Sequence, residues 1–379
     1  MKKEEDIFEL IDELESINAS KGVISKNINY YLRNKARETG IPYHGRFELT
    51  PLCNLNCKMC YVHLGDDQFE GKGLLTAKEW IDLMQQAIDV GMLEASLTGG
   101  ECLTYPWFDD VYLFLKSQGI VTTVLTNGVL LNNNRIAFFK KHTPNRIQIS
   151  LYGDTEDAYE KVTERRAFSV VTNNITAAKE AGLPILISIT PSKYNLDSIK
   201  GVIKLVKDIE VPYVINIGLM TPRHETGRQD GDHDITLDDY IDIFKYNRDL
   251  NNEKVVSQNV LPIEQMEYDY TESGLRCGAG RSVFTINWDG TMRPCSQMRS
   301  IFAYPRKVGV RNAWELINKE VSRYPRFKQC DECLFSEACT FCAAENEKMG
   351  SRYILNRTWC IRTWKMVESG LRKIKLQCN

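Results

Sequence analysis

Short apolar segments that read as β-strands alternate with helical segments from Phe47 to about Thr221. Such alternation predicts a parallel sheet, because each helix returns the chain to the edge where the previous strand began. Six such units predict an α/β fold, a partial (β/α)6 barrel of the TIM type, and barrels of this type place their chemistry at the carboxyl ends of the strands. The predicted strands cover residues 47–52, 95–98, 121–126, 146–151, 185–189 and 213–217.

Composition changes along the chain and indicates three regions. Apolar residues recur at helical spacing between Ile7 and Leu14, which predicts an N-terminal helical cap. The last region is rich in cysteines and turns, and Trp288-Asp289-Gly290 predicts a hairpin turn within it. We expect the helical cap at residues 1–45, the partial barrel at 46–269 and the cysteine-rich domain at 270–379.

Charge and composition disfavour several classes of protein. Lys and Arg number 48 and Asp and Glu number 50, a balance that suggests neither a nucleic-acid partner nor a polybasic membrane anchor. The charged start of the chain, Met1 to Asp6, lacks the apolar core of a signal peptide, and no apolar run approaches the ~18 residues of a membrane span. We therefore expect a cytoplasmic protein. In that reducing compartment, twelve cysteines indicate metal binding rather than disulfides.

Three cysteines, Cys53, Cys57 and Cys60, follow the first predicted strand with the spacing C-x3-C-x2-C. Three thiolates on one tight loop suit a [4Fe–4S] cluster, and they leave its fourth iron open to a small molecule. Zinc is the alternative metal, and His63 would close such a site. A disulfide is less favoured, since three cysteines in one loop pair badly.

A second motif, Thr98-Gly99-Gly100-Glu101, follows the second predicted strand. The two glycines permit close approach of the backbone, and Glu101 can accept a charge-assisted hydrogen bond from an ammonium group. A plain strand-to-helix turn would explain this motif alone. Together with the cysteine loop, in this order, it resembles the radical S-adenosylmethionine (SAM) enzymes.

The resemblance implies a specific chemistry and a set of SAM contacts. In that family the open iron is chelated by the amino and carboxylate groups of SAM, which an electron cleaves to methionine and a 5′-deoxyadenosyl radical that abstracts hydrogen from the substrate. Relatives place their carboxylate-binding arginine nearer Thr163, carry an aromatic residue where this chain has Met59, and have Pro where it has Cys102. The expected SAM contacts are Met59, Gly99, Gly100, Glu101, Thr126, Asn127, Ser150, Arg165 and Arg166.

The C-terminal cysteines resemble a SPASM domain, an extension that holds two auxiliary [4Fe–4S] clusters, which makes three clusters in total. Family interleaving assigns the outer cluster to Cys330, Cys333, Cys339 and Cys360, and the inner one to Cys277, Cys295 and Cys342. The inner cluster lacks a fourth cysteine. Asp269 or Glu272 would supply an oxygen ligand, or the position stays open for substrate. Paired zinc knuckles are the alternative, but they would leave Cys277 and Cys295 unused.

These features favour an enzyme that crosslinks or oxidises a ribosomally made peptide, reduced by a partner such as flavodoxin or ferredoxin. An anaerobic sulfatase-maturing enzyme, a small-molecule dehydrogenase and an iron–sulfur electron carrier are the alternatives. Seven C-terminal cysteines argue against the dehydrogenase, and the open first cluster with Glu101 argues against the carrier. No catalytic acid or base is assigned, although the loop Arg223-His224-Glu225 follows the sixth predicted strand and is a candidate.

Overall fold

The structure is a computed structural model that describes residues 21–62, 64, 69, 73–216, 234–251, 270–348 and 350–372. The predicted helix at Ile7–Leu14, His63, the loop at residues 223–225 and Asp269 lie outside these residues. The strands are β1 (His44–Glu48), β2 (Glu94–Thr98), β3 (Val121–Thr126), β4 (Arg146–Leu151), β5 (Ile185–Ile189), β6 (Tyr213–Ile215), β7 (Tyr270–Thr271), β8 (Val283–Ile286), β9 (Met292–Arg293) and β10 (Arg326–Phe327).

The helices separate these strands in the order that the sequence predicts. In the N-terminal half they are α1 (Lys21–Thr39), α2 (Ala77–Asp89), α3 (Phe108–Ser117), α4 (Asn133–Lys141), α5 (Glu156–Thr163), α6 (Phe168–Glu180) and α7 (Ile199–Asp208). They continue as α8 (Leu237–Leu250), α9 (Pro305–Val308), α10 (Val310–Ser322), α11 (Gln329–Glu332), α12 (Ala343–Lys348) and α13 (Thr358–Glu368).

Strands β1 to β6 form one parallel sheet in chain order. The parallel α/β architecture that the alternation predicts is therefore confirmed. In a parallel sheet the carboxyl ends of all strands lie at one edge, so the loops after β1, β2, β3 and β4 are neighbours. This edge carries both sequence motifs.

Helix α2 illustrates how the helices attach to the sheet. Thr76 caps its first turn and forms a capping box with Glu79, whose carboxylate accepts the Thr76 backbone N–H at 2.8 Å. The helix buries Trp80, whose ring packs edge-on against Phe47 of β1 at 6.0 Å between centroids. Burying each such side chain contributes about 1.5–3 kcal/mol, so the sheet face fixes the helix in place.

The C-terminal region joins the barrel sheet through β8. This strand pairs in parallel with β1, from His44 opposite Val283 to Phe47 opposite Ile286. It then turns into β9 at Gly290, whose φ is +80°, as the hairpin prediction required. The first motif strand thus lies directly beside the strand that separates two C-terminal cysteines. No helix of the described residues is long and apolar enough to span a membrane.

Candidate active site

The loops that carry the two motifs are joined by backbone hydrogen bonds beyond the ends of β1 and β2. The Gly100 N–H donates to the Thr50 carbonyl at 2.7 Å, and the Glu101 N–H donates to the Leu52 carbonyl at 2.9 Å. Leu52 directly precedes Cys53. The cysteine loop and the glycine–glutamate loop therefore form a single rigid unit.

Both glycines of the second motif are required by this close approach. Gly99 has a φ of +146°, and a Cβ there would lie 2.4 Å from the Thr50 carbonyl oxygen. A Cβ on Gly100 would lie 2.3 Å from the Leu52 carbonyl oxygen. Since both clashes are with backbone atoms, no side-chain movement would relieve them.

The Glu101 carboxylate is buried and held by four donors. Its Oε1 accepts from the Leu103 N–H at 3.0 Å, the Thr126 hydroxyl at 2.8 Å and, more weakly, the Cys102 thiol at 3.9 Å, and its Oε2 accepts from the Asn127 N–H at 2.6 Å. Burial raises the pKa of this carboxyl, and the four hydrogen bonds oppose that rise. Within the described part of the chain no Lys or Arg forms an ion pair with it. A ligand ammonium group would supply the missing cation.

Asn127 connects the carboxylate to the cysteine loop. While its backbone N–H binds Glu101, its side-chain Nδ2 lies 3.5 Å from the Cys53 Sγ and 2.7 Å from the Asn54 Oδ1. Thr126 and Asn127 were expected as SAM contacts, and the structure brings both to Glu101. The Asn54 contact has no local sequence signal, because it joins residues from two separate strand ends.

The cysteine loop is fixed on its other side by the end of helix α5. The backbone N–H groups of Asn56 and Lys58 donate to the carbonyls of Thr163 and Val162, each at 2.9 Å. The last carbonyls of a helix have no N–H donor within the helix, so these two can accept from the cysteine loop. The loop geometry is therefore set by the fold before any metal binds.

The first thiol of this loop holds its proton tightly in the absence of a metal. Burial, and after it the charge of Glu101, raises the pKa of Cys53 to about 12. A thiol must lose its proton to bind metal, and the positive charge of bound iron would offset this cost. The donor set and the side-chain-free glycine segment both fit a cluster with a small ligand on its open iron.

Two further expected contacts lie close to this edge. Thr126 pairs with Ile149 of β4, so Ser150 follows at the same strand end. The Tyr152 hydroxyl forms a hydrogen bond with the Ser150 side chain. Met59 is buried within the cysteine loop. Their contact with SAM stays a prediction.

The two expected arginines lie away from Glu101. The Arg166 guanidinium forms ion pairs with Asp157 at 2.9 Å and Glu160 at 2.7 Å on the exposed face of α5. Arg165 is exposed and donates to the Glu164 carbonyl at 3.2 Å. Thr163, where relatives carry the arginine, is fully buried. Nothing in this geometry supports a carboxylate-binding role for either arginine, and that assignment stays a prediction.

The outer set of C-terminal cysteines converges in the structure. Burial, and after it the neighbouring thiols of Cys360, Cys339 and Cys333, raises the pKa of Cys330 to about 11. Mutual effects of this kind require the four sulfurs to lie near one another. They are the four cysteines that the family interleaving assigns to the outer cluster.

The inner set also converges, and an acidic residue lies beside it. Burial raises the pKa of Cys342, and after it the thiol of Cys295, the Glu345 carboxylate and the thiol of Cys277 raise it as well. The Glu345 backbone N–H donates to the Cys342 sulfur. Glu272, one of the two expected oxygen donors, is exposed.

Within the described residues, no three Cys, His, Asp or Glu side chains are arranged to hold one metal ion. The assignment of the three cysteine sets to clusters rather than to zinc stays a prediction from their sequence spacing.

Comparison with known proteins identifies the domain that carries the two sequence motifs. The sequence profile of the radical SAM superfamily matches residues 47–206, which include the cysteine loop, Glu101 and the polar strand ends. The chain carries a radical SAM domain. Proteins of this superfamily use SAM and a [4Fe–4S] cluster, which accords with the site described above.

Relatives of the whole chain extend beyond the radical SAM domain. The AdoMet-dependent heme synthase of Methanosarcina barkeri is 24% identical over 348 residues, which are 85% of this chain and 97% of that protein. Streptococcus suis SuiB bound to S-adenosylmethionine has a TM-score of 0.67 at 17% identity, covering 95% of this chain and 87% of SuiB. The structure of anSMEcpe with bound AdoMet has a TM-score of 0.64 at 14% identity, covering 86% and 95%. These overlays show that the fold is shared.

The assignment of the cysteines to separate clusters predicts that one substitution removes one cluster and leaves the others in place. Cys342→Ala is expected to lose the inner cluster, about four of about twelve irons, because that cluster would keep only two thiolates. SAM cleavage should persist, since the radical SAM domain keeps its own cysteines. Iron and sulfide analysis checks this, with the buried Cys102→Ala as the matched control. Full iron content in Cys342→Ala would contradict the assignment.

Proposed function

We propose that this protein reductively cleaves SAM and abstracts hydrogen from a ribosomally made peptide, which it crosslinks or oxidises. The observation that carries the first part is the position of Asn127, which contacts both the buried Glu101 carboxylate and the Cys53 thiol. A single residue thus ties the expected acceptor of the SAM ammonium to the expected cluster ligands. The cluster and SAM, when bound, supply the 5′-deoxyadenosyl radical.

The residues of the site have distinct roles under this proposal. Cys53, Cys57 and Cys60 hold the cluster and leave one iron for SAM. Glu101 accepts the SAM ammonium group, and Thr126 keeps the carboxylate oriented toward it. The joined backbones of the two motif loops keep the ammonium acceptor at a fixed distance from the cluster.

The C-terminal cysteines support an oxidative reaction. Coupling or oxidation of a substrate radical releases one proton and one electron, so the electron requires an acceptor. The converged sets at Cys330 and Cys342 would hold auxiliary clusters, which supply such an acceptor. Strand β8 ties this region to the radical SAM domain, because it pairs directly with β1.

A peptide substrate is supported by the structural relatives. SuiB has been crystallised with its precursor peptide SuiA, and that structure overlays on 95% of this chain with a TM-score of 0.63. The structure of anSMEcpe bound to AdoMet and the Kp18Cys peptide overlays on 86% with a TM-score of 0.63. Two relatives that share the fold across both regions therefore hold peptides.

A second candidate rests on the sequence match to the AdoMet-dependent heme synthase. That relative aligns over 97% of its length at 24% identity, a higher identity than either peptide-bound structure has. Under this alternative the substrate is a haem precursor rather than a peptide.

One incubation separates the two candidates. The reconstituted protein is given SAM, a reductant and either short peptides encoded beside its gene or a haem precursor. We expect SAM-dependent loss of two hydrogen atoms from one peptide, measured by mass spectrometry. Cys60→Ala, which removes a ligand of the first cluster, is the inactive control. Conversion of the haem precursor with every peptide unchanged would contradict the peptide proposal.

A further inference from the structure

One buried hydroxyl next to the cysteine loop has no hydrogen-bond partner. The Tyr159 side chain is fully buried, and among the described residues nothing accepts or donates a bond at its hydroxyl oxygen. Buried polar groups in folded proteins are nearly always hydrogen-bonded, because leaving one unpaired costs its full desolvation free energy. Such a group next to a cofactor site points to a partner on the cofactor.

The Tyr159 hydroxyl lies within electrostatic range of the expected cluster ligands. Burial raises the pKa of Tyr159, and the charges of the Cys57 and Cys53 thiolates raise it further, ahead of the Glu101 carboxylate. Tyr159 stands on α5, one turn before Val162, whose carbonyl accepts the backbone N–H of the cysteine loop at Lys58. The same helix thus holds the loop and presents the hydroxyl.

The ring is fixed in this position by its neighbours. Its centroid lies 6.5 Å from that of Tyr152 and 6.4 Å from that of Phe168. The backbone of Tyr159 packs so tightly on Gly153 that a Cβ there would lie 2.4 Å from the Tyr159 nitrogen. The ring and the helix that carries it are therefore packed against neighbouring residues.

Within the described residues, the Glu101 carboxylate is bound by donors other than Tyr159. It accepts from Asn127, Thr126 and Leu103. Neutral thiols are weak acceptors, whereas the sulfides and thiolates of an assembled cluster accept N–H and O–H bonds. The donor is present in the fold, and an assembled cluster would supply a matching acceptor.

We propose that the Tyr159 hydroxyl donates a hydrogen bond to the cluster held by Cys53, Cys57 and Cys60, at a cluster sulfide or the Cys57 sulfur. Hydrogen bonds to cluster sulfurs are among the groups that set reduction potentials, and they favour the more negative reduced state. Tyr159 thereby raises the potential and makes the electron transfer that precedes SAM cleavage more favourable. This inference rests on the cluster of the proposed function.

The test is a redox titration of the reconstituted protein followed by electron paramagnetic resonance. The cluster is identified as the signal that changes on addition of SAM. Tyr159→Phe removes only the hydroxyl, and we expect about a tenfold loss in the reduction equilibrium, a potential lower by ~59 mV for one electron. Iron content should stay at the wild-type value.

Tyr112→Phe is the matched control. Tyr112 is also fully buried, but its hydroxyl donates to the His142 carbonyl, away from the cysteine loop. An equal shift in both variants, or no shift in Tyr159→Phe, would overturn the inference. If Tyr159→Phe assembled no cluster, Tyr159→His, whose ring N–H still donates, is expected to restore assembly, and its failure to do so would overturn the inference as well.

The result also separates this inference from the proposed function. If the wild-type protein gives no signal that responds to SAM, the proposed function fails before Tyr159 is considered. If the wild-type signal is present and Tyr159→Phe leaves its potential unchanged, only the role of Tyr159 fails.

Discussion

Replacing Glu101 by Gln is expected to weaken SAM binding by roughly 10- to 100-fold, because a charge-assisted hydrogen bond is worth about 1.5–3 kcal/mol. The physical reason extends beyond the lost charge. Both carboxylate oxygens accept from N–H or O–H donors, so a Gln amide nitrogen would face either the Asn127 N–H or the Thr126 hydroxyl. Two donors that face each other in a buried site both lack an acceptor. This adds a desolvation cost to the loss of the ammonium partner.

Equilibrium binding of SAM to the reconstituted protein measures this effect. Glu180→Gln, an exposed carboxylate at the end of α6, is the matched control and should bind SAM as the wild type does. Glu101→Asp keeps the charge but shortens the side chain, so we expect an intermediate loss. Wild-type affinity in Glu101→Gln would show that the ammonium binds elsewhere.

Replacing Gly100 by Ala is expected to prevent assembly of the first cluster and to lower the free energy of unfolding by about 3 kcal/mol or more, above the usual range for overpacking. The added Cβ would lie 2.3 Å from the Leu52 carbonyl oxygen. Relief requires the two loops to separate, which breaks the bond from the Gly100 N–H to Thr50. Because Leu52 directly precedes Cys53, the cysteine loop would move with it.

Iron content and thermal unfolding measure this prediction together. Gly73→Ala is the matched control, because a Cβ there meets nothing within 4 Å. We expect Gly73→Ala to retain full iron and wild-type stability. A Gly100→Ala protein with full iron would show that the close contact of the two loops is not needed for the cluster.

Local sequence patterns were sufficient for most of the barrel. The alternation of strands and helices predicted β1 to β5 to within a few residues, since buried parallel strands are short and apolar and their helices are longer and periodic. Strand β6 was predicted to end at residue 217 and ends at Ile215. The described residues of this part of the chain continue only to 216. The hairpin at Gly290 followed from turn chemistry alone.

Contacts between distant segments could not be predicted in this way. The pairing of β8 with β1 joins residues such as Phe47 and Ile286. No local sequence pattern specifies the sheet edge with which a later strand pairs. The same holds for the bonds from Asn56 and Lys58 to the end of α5, and for the contact between Asn127 and Asn54. These contacts fix the geometry of the site.

The SAM contact expected of the two arginines stays a prediction that rests on motif position alone. Arg165 and Arg166 lie near the place where relatives carry a carboxylate-binding arginine, but Asp157 and Glu160 engage Arg166 on the helix surface. Sequence spacing does not determine on which side of a helix end a long charged side chain forms its ion pair. Thr126 and Asn127 stand directly at a strand end, which fixes their direction, and both contact Glu101. Their contact with SAM stays a prediction.

Formation of 5′-deoxyadenosine is the most direct test of the central claim. The protein, reconstituted with iron and sulfide under anaerobic conditions, is incubated with SAM and a strong reductant, and the products are quantified by chromatography. The account predicts 5′-deoxyadenosine in the wild-type protein and none in Cys57→Ala, which loses a ligand of the first cluster. Absence of SAM cleavage in a wild-type protein with full iron content would contradict it.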